Sequence, residues 1–192
     1  DLRFTQDETA EFVQSFFGVS LSDNQIVALE KRTEGWVTGL QLAAMGLRGQ
    51  ADITDFIDHL SGDNRIISDY LFDEVFANQP DHIQDFLLVT SLFTRFSSSL
   101  CNAVLQIENS YEIIDYLEQS NLFVIPLDNK RTWYRYHHLF AELLQNRLKQ
   151  SSPEEITKKY LAAAQWFEKQ EFLNETIDYA LAAKEFEYTA QI

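Results

Sequence analysis

Two adjacent histidines, His137 and His138, follow the aromatic run Trp133-Tyr-Arg-Tyr136 and precede an amphipathic stretch, Leu139 to Lys149. An imidazole at the start of a helix can donate to a phosphate, and its charge is tunable near neutral pH. A plainer role is equally open, in which one ring caps the helix or packs against the segment before it. The other side chains capable of chemistry form no constellation. His59 and His82 lack partners at metal-ligand spacing. Asp69, Asp73 and Glu74 fall at helical spacing, which reads as a solvated acidic face rather than an acid–base pair. No nucleophile–histidine pattern stands out, so no enzymatic activity is expected of the chain itself. Cys101 is the single cysteine, which excludes an intramolecular disulfide framework and a Cys-rich zinc site. It lies in an apolar helical pattern and reads as a small buried hydrophobe.

The elements that hold the two histidines can be read around them. The apolar run Leu122 to Leu127 meets a polar turn, Asp128 to Arg131, and then the aromatic run Thr132 to Tyr136. Both runs are rich in β-branched and aromatic residues, which predicts a β-hairpin. Asn129 tolerates the left-handed conformation that such turns often need. Three short helical patterns precede this hairpin. One runs from Pro80, suited to a first helical turn, through Val89. A second covers Ser97 to Gln106, and a third is capped by Asn109 with Ile113, Ile114 and Leu117 inward. Three helices followed by one hairpin outline a winged helix.

The N-terminal third reads as a helical bundle. Thr5-Gln-Asp-Glu8 and Ser22-Asp-Asn-Gln25 are capping boxes. The first opens a helix with Ala10, Phe12, Val13, Phe16 and Phe17 as its apolar face, ended by Gly18. The second opens a helix with Ile26, Val27 and Leu29 on one side. Trp36 to Leu47 marks a third helix after the break at Gly35. Gly39 and Gly46 inside it each cost about 1 kcal/mol against alanine, which implies a close neighbour at each. Ala51 to Leu60 is a short helix, Ser61-Gly-Asp-Asn64 a turn, and Arg65 to Phe76 a clear amphipathic helix. Ser151-Ser-Pro153 reads as a linker. Beyond it, one helix carries Tyr160, Ala163, Ala164, Trp166 and Phe167, and a second carries Ala180, Leu181 and Ala183. Such pairs resemble the opening of a helical-repeat array, and one repeat does not bury its own face.

The bulk numbers narrow the partners. In 192 residues, 45% hydrophobic and 23% charged content describe a soluble globular chain. No signal peptide and no apolar run of membrane-spanning length is present, so a cytoplasmic protein without membrane contact is expected. The formal charge of −15, from 30 acidic and 15 basic residues, opposes nonspecific attraction to nucleic acid. Between Ile66 and Asn129 the only lysine or arginine is Arg95. The third winged-helix helix, Ser110 to Asn121, carries Glu112, Asp115 and Glu118 and no lysine or arginine. A groove-reading helix needs donors for bases and phosphates, so this helix is not expected to read DNA. Packing within the chain, a switch, or docking of another protein suits it better.

Three stretches together carry a resemblance: Asp1-Leu-Arg-Phe4 followed by Glu8, Arg32-Thr-Glu-Gly-Trp-Val-Thr-Gly-Leu-Gln-Leu-Ala43, and Trp133-Tyr-Arg-Tyr-His-His-Leu-Phe-Ala-Glu-Leu-Leu144. Their order and spacing resemble the MalT-like, LuxR-type ATP-dependent transcriptional regulators. These belong to the signal-transduction ATPases, with the apoptotic and plant-immunity switches. The resemblance covers nearly the whole chain, and the third stretch is its most specific part. It implies a mainly α fold with a helical lid at 1–60, a winged helix with one β-hairpin at 61–150, and the start of a TPR-like helical-repeat sensor at 151–192.

The family's ATPase core and its C-terminal helix-turn-helix have no counterpart in this sequence, and no Gly-x-x-x-x-Gly-Lys-Ser/Thr motif occurs. The chain is therefore expected to be part of a longer regulator. That parent would bind ATP or ADP with magnesium, with no nucleotide held tightly by this part alone. The partners implied are the upstream core and downstream sensor of the same polypeptide, promoter DNA through the far helix-turn-helix, and further copies on activation. Gly39-Leu40-Gln41-Leu-Ala43 is similar to the Gly-Leu-Pro-Leu-Ala lid motif that approaches adenine in the related switches, with Gln41 where the proline stands. His137 matches the winged-helix histidine set against the β-phosphate of ADP, and His138 stands where several relatives have aspartate. Loss of such a contact on nucleotide exchange would make a two-state switch.

Overall fold

The structure is a computed structural model that describes residues 4–47, 52–61, 65–149 and 153–190. The expectations placed on Asp1 to Arg3, on the Ser61–Asn64 turn beyond Ser61, and on Ser151-Ser152 lie outside the described residues. The chain is mainly helical with one antiparallel hairpin, and it divides into two compact units. The first is Asp1–Asn78 with His138–Leu143; the second is Gln79–His137 with Leu144–Ile192.

In the first unit, α1 (Gln6–Phe17), α2 (Asp23–Thr33) and α3 (Val37–Leu47) form the bundle. Both capping boxes are made: Glu8 returns to the Thr5 N–H at 2.8 Å, and Gln25 to the Ser22 N–H at 2.9 Å. Gly18 ends α1 in the left-handed conformation, φ 68°. Val13, Leu29, Leu40, Ala43, Ala44 and Leu47 are buried. Phe16 and Val27, expected on apolar faces, are 69% and 49% exposed. For Phe16 the reason is local: Phe12, Phe16 and Phe17 cluster with one another, so the ring is satisfied on the surface. The short helix α4 (Ile53–Asp58) buries Ile57. The amphipathic stretch from Arg65 begins as α5 (Arg65–Tyr70) and continues as a π-helical segment, Leu71–Phe76.

The second unit holds the winged helix. Its three helices are α6 (Asp81–Thr90), α7 (Ser98–Leu105) and α8 (Ser110–Gln119). Pro80 stands at the cap position just before α6 rather than inside its first turn. Asn109 gives no side-chain cap to α8; the Asn102 side chain accepts from the Ser110 N–H instead, at 3.1 Å. Strands β1 (Val124–Pro126) and β2 (Tyr134–Tyr136) pair with Val124 opposite Tyr136. Phe96 adds an isolated bridge to Tyr134 on the other side of β2. The hairpin turn is built by Asp128, whose carboxylate accepts from the N–H groups of Lys130, Thr132 and Trp133. The left-handed residue of that turn is Arg131, φ 54°, and not Asn129. Once Asp128 anchors three amides, the chain reverses after Lys130, and the unusual torsion falls there.

The helix α9 (His138–Leu148) follows β2, beginning in the first unit and continuing into the second. Then come α10 (Pro153–Lys169), α11 (Leu173–Ala182) and the short α12 (Phe186–Thr189). The helical pair covers the outer side of the small sheet. Strand side chains alternate between faces, so Tyr134 and Tyr136 point to the winged-helix core, where both are buried. Trp133 points the other way and stacks on Phe167 of α10, ring planes 9° apart and centroids 6.2 Å apart. Among the described residues, no helix is long and apolar enough to cross a membrane.

Candidate functional site

The hairpin delivers the two histidines to different surroundings. His137 directly follows β2. Its N–H donates to the Phe123 carbonyl at 2.8 Å, and the residue is 3% exposed. That carbonyl is aimed by backbone torsion: Asn121 and Phe123 both have positive φ, 52° and 61°, at the entry to β1. The His137 ring meets the Phe123 ring nearly edge-on, at 6.4 Å and 75°.

His138 is the first residue of α9 and belongs to the first unit. Its Nδ1 lies 2.9 Å from Glu34 Oε1, across 104 positions of sequence. Glu34 is the C-cap of α2 in the left-handed conformation, φ 49°, and Gly35 follows at φ 69°. Two left-handed residues in succession turn the chain sharply from α2 into α3 and hold the Glu34 carboxylate toward α9.

The whole Arg32-Thr-Glu-Gly-Trp36 stretch is accounted for by this corner. Arg32 donates to the Asp58 carbonyl at 2.5 Å. The Thr33 hydroxyl donates back to the Leu29 carbonyl at 2.8 Å. Gly35 accepts from the Phe4 N–H at 2.9 Å. Trp36 lies over Gly39, where an added Cβ would stand 2.5 Å from its ring. The predicted close neighbours of the helix glycines are therefore aromatic rings, Trp36 at Gly39 and Phe56 at Gly46.

A cleft of about 590 Å³ opens in the first unit, lined by Asn24, Val27, Ala28, Lys31 and Arg32 of α2 with Asp58 and His138. Lys31 and Arg32 offer donors only, an imidazole can offer one, and Asp58 adds a carboxylate, so the cleft carries both cationic donors and an anionic acceptor. Gly39 and Leu40 are buried and Gln41 is exposed; none of the three lines this cleft. The structure thus brings His138 together with Glu34, Lys31 and Arg32, a grouping not expected from sequence. Glu34 lay in plain view inside a motif, but nothing local signals a partner 104 residues away.

The winged helix presents little to nucleic acid. Glu112 of α8 is exposed, and Glu118 is paired with the wing's Arg131 at 3.3 Å. Arg135 donates to the neighbouring Tyr136 carbonyl. Two of the three wing cations are thus turned back onto the protein.

Comparison with known proteins gives this geometry a family. Residues 72–156 match the MalT winged helix domain. The chain is MalT-like, and residues 72–156 are its MalT winged helix domain. The HTH-type transcriptional regulator MalT of Klebsiella pneumoniae (strain 342) is 32% identical over 184 residues, 95% of this chain and 20% of that protein. MalT of Vibrio campbellii is 28% identical over 194 residues, all of this chain and 21% of that protein. The serine/threonine-protein kinase PknK of Mycobacterium tuberculosis (strain CDC 1551 / Oshkosh) is 32% identical over 182 residues, 95% of this chain and 16% of that protein. The MalT-like chain spans 16–21% of the length of these relatives.

Proposed function

We propose that this MalT-like chain is the switch segment of a nucleotide-governed transcriptional regulator. Residues 1–60 serve as lid, 61–150 as winged helix and 151–192 as the opening of the sensor. The observation that carries this reading is the bond between Glu34 and His138. It joins the two stretches most diagnostic of the family, Arg32–Ala43 and Trp133–Leu144, through one residue of each. A site shared by both stretches can report on a ligand only if they meet, and this bond supports that reading.

The residues fit an anionic ligand at the polar end. His138 opens α9 and shares a cleft with Lys31 and Arg32, while His137 directly precedes the helix. In the parent, ADP or ATP with magnesium would supply the phosphate charge that these donors recognise. His137 would sense the phosphate, and His138 would orient the helix start through Glu34. The adenine contact fits less well, because Gly39 and Leu40 are interior and Trp36 already occupies the face of Gly39. Gln41 is the member of that trio with an exposed side chain. Promoter binding belongs in this reading to a helix-turn-helix elsewhere in the parent, with self-association on activation.

The test is labelled-ADP binding to an N-terminally extended parent beside the 192-residue chain. Tight binding by the parent, weakened by His137→Ala and absent from the shorter chain, is expected. If the parent binds ADP equally well after His137→Ala, the sensor role is wrong.

A second reading keeps the winged helix and drops the nucleotide: α8 docks another protein. Tyr111 and Tyr116 are 65% and 43% exposed on that acidic helix, a pattern suited to a basic, aromatic-accepting surface. A parent that fails to bind ADP at all would favour it.

A further inference from the structure

We propose that Arg95 is a positioning residue that ties the helical pair α10–α11 to the hairpin carrying His137. The inference rests on the reading of His137 as a sensor only for its regulatory consequence; the coupling itself is a property of the second unit.

Arg95 is the one lysine or arginine between Ile66 and Asn129, and it is not spent on solvent. Its guanidinium lies 4.3 Å from the centroid of the Trp133 ring and 5.1 Å from that of Phe172. It also forms an ion pair with Glu175 of α11. Arg95 and Glu175 side chains are 32% and 24% exposed, so the pair is partly shielded. A flat cation between two rings and a carboxylate has its orientation fixed from three directions.

The strand geometry says what this arrangement holds. Phe96 and Tyr134 exchange both of their backbone hydrogen bonds, each at 2.8 Å. Side chains alternate along paired segments, so Phe96 and Tyr134 face the winged-helix core while their neighbours Arg95 and Trp133 share the opposite face. The helical pair therefore grips the sheet by the residues adjacent to the bridge. Trp133 is pinned a second time through its backbone, which donates to Asp128 and accepts from Leu127. Tyr179 of α11 adds a contact beside Arg95, its hydroxyl accepting from the Thr94 N–H at 3.2 Å. Three residues beyond Trp133 the strand ends, and His137 is the next residue, fixed by its own N–H to Phe123. A displacement of α11 would draw on Arg95 and Trp133 together and so on the strand that sets His137. The pair α10–α11 is then an input lever on the histidine, not an inert first repeat.

The test uses the 192-residue chain without nucleotide and compares Arg95→Ala, Arg95→Lys and Glu175→Gln with Ile83→Val, a core truncation in the first turn of α6. Amide exchange at Tyr134 and His137 and the His137 ring resonances are followed by NMR. Arg95→Ala should speed exchange at both amides by about tenfold and shift the ring signals, since local opening reports the lost contacts. Arg95→Lys, which keeps charge but not the flat stack, should fall between wild type and alanine. Glu175→Gln should shift the same signals in the same direction, and it remains informative if Arg95→Ala unfolds. Ile83→Val should leave the His137 ring signals in place. Loosening confined to α10–α11, with Tyr134 and His137 at wild-type rates, would overturn the proposal, as would equal effects from Ile83→Val. Failure here leaves the ADP reading untouched, and failure of ADP binding leaves this coupling intact.

Discussion

The His138 Nδ1 and Glu34 Oε1 atoms, 2.9 Å apart, fasten the start of α9 to the corner between α2 and α3. Their side chains are 31% and 18% exposed, so water competes for the bond only in part. Removing either partner should cost about 1 kcal/mol, midway between an exposed pair and a shielded one. A double-mutant cycle of Glu34→Ala and His138→Ala in urea should return a coupling energy of that size. A coupling of zero would mean that the bond adds nothing to the folded state.

Local signals in the sequence are legible where the physics is local. Both capping boxes, the Gly18 stop and the hairpin all depend on residues within a few positions of one another. The hairpin's left-handed residue falls at Arg131 because the torsion is set by what Asp128 binds, not by the tolerance of Asn129. Phe16 lies exposed on an apolar face because such periodicity says which residues could be buried, not whether a neighbour covers them. The family stretches were legible as motifs, but the reason for Arg32, Glu34 and Trp36 was not. Each acts on something outside its own helix: the Asp58 carbonyl, His138 and Gly39. Arg95 stood out as a lone cation, yet its partners Trp133, Phe172 and Glu175 lie far along the chain.

Gly39 should resist substitution. Alanine improves helix propensity by about 1 kcal/mol. Its Cβ, however, would stand 2.5 Å from Cε3 in the body of the Trp36 ring, an atom that cannot move without the whole indole. Overpacking of this kind costs about 1–3 kcal/mol, so Gly39→Ala should be neutral to destabilising despite the propensity gain. Gly46→Ala meets only the tip of the Phe56 ring and should be milder. Thermal melts of the two variants, read against wild type, order the effects. A stabilised Gly39→Ala would show that Trp36 swings away freely.

Alkaline conditions should weaken the second unit through buried acids. Burial pushes the Tyr136 hydroxyl and the Cys101 thiol well above their ordinary ranges, and Tyr179 is raised by the same cause. Each keeps its proton in the folded chain at a pH where the unfolded chain gives it up. Their stabilisation is full below the unfolded values, about 8.5 for cysteine and about 10 for tyrosine, and is lost as pH climbs beyond them. Tyr136→Phe should flatten that decline. At neutral pH it should cost only about 1 kcal/mol, because Thr90, which loses its 2.7 Å bond with the Tyr136 hydroxyl, keeps its own donation to the Phe86 carbonyl at 2.6 Å. Urea midpoints at pH 8 and pH 10.5 for wild type and Tyr136→Phe would show the difference, and parallel declines would rule Tyr136 out as a contributor.

The hairpin should instead be sensitive to acid. The Trp133 N–H, assisted by those of Thr132 and Lys130, holds the Asp128 carboxyl below its usual range. An acid whose folded value lies below its unfolded one stabilises most when fully ionised. That contribution is complete above about pH 5 and disappears as pH falls through the lowered folded value, beneath the unfolded value of about 3.9. The carboxylate is at the surface, so the effect is local: the turn opens while the helices persist. Following the Trp133 amide resonance from pH 6 to pH 2 should show a transition below the ordinary aspartate midpoint. Asp128→Asn keeps one acceptor oxygen but cannot titrate, so the transition should vanish and the turn should be looser at every pH. If the Trp133 amide of Asp128→Asn still moves over that range, another group governs the turn.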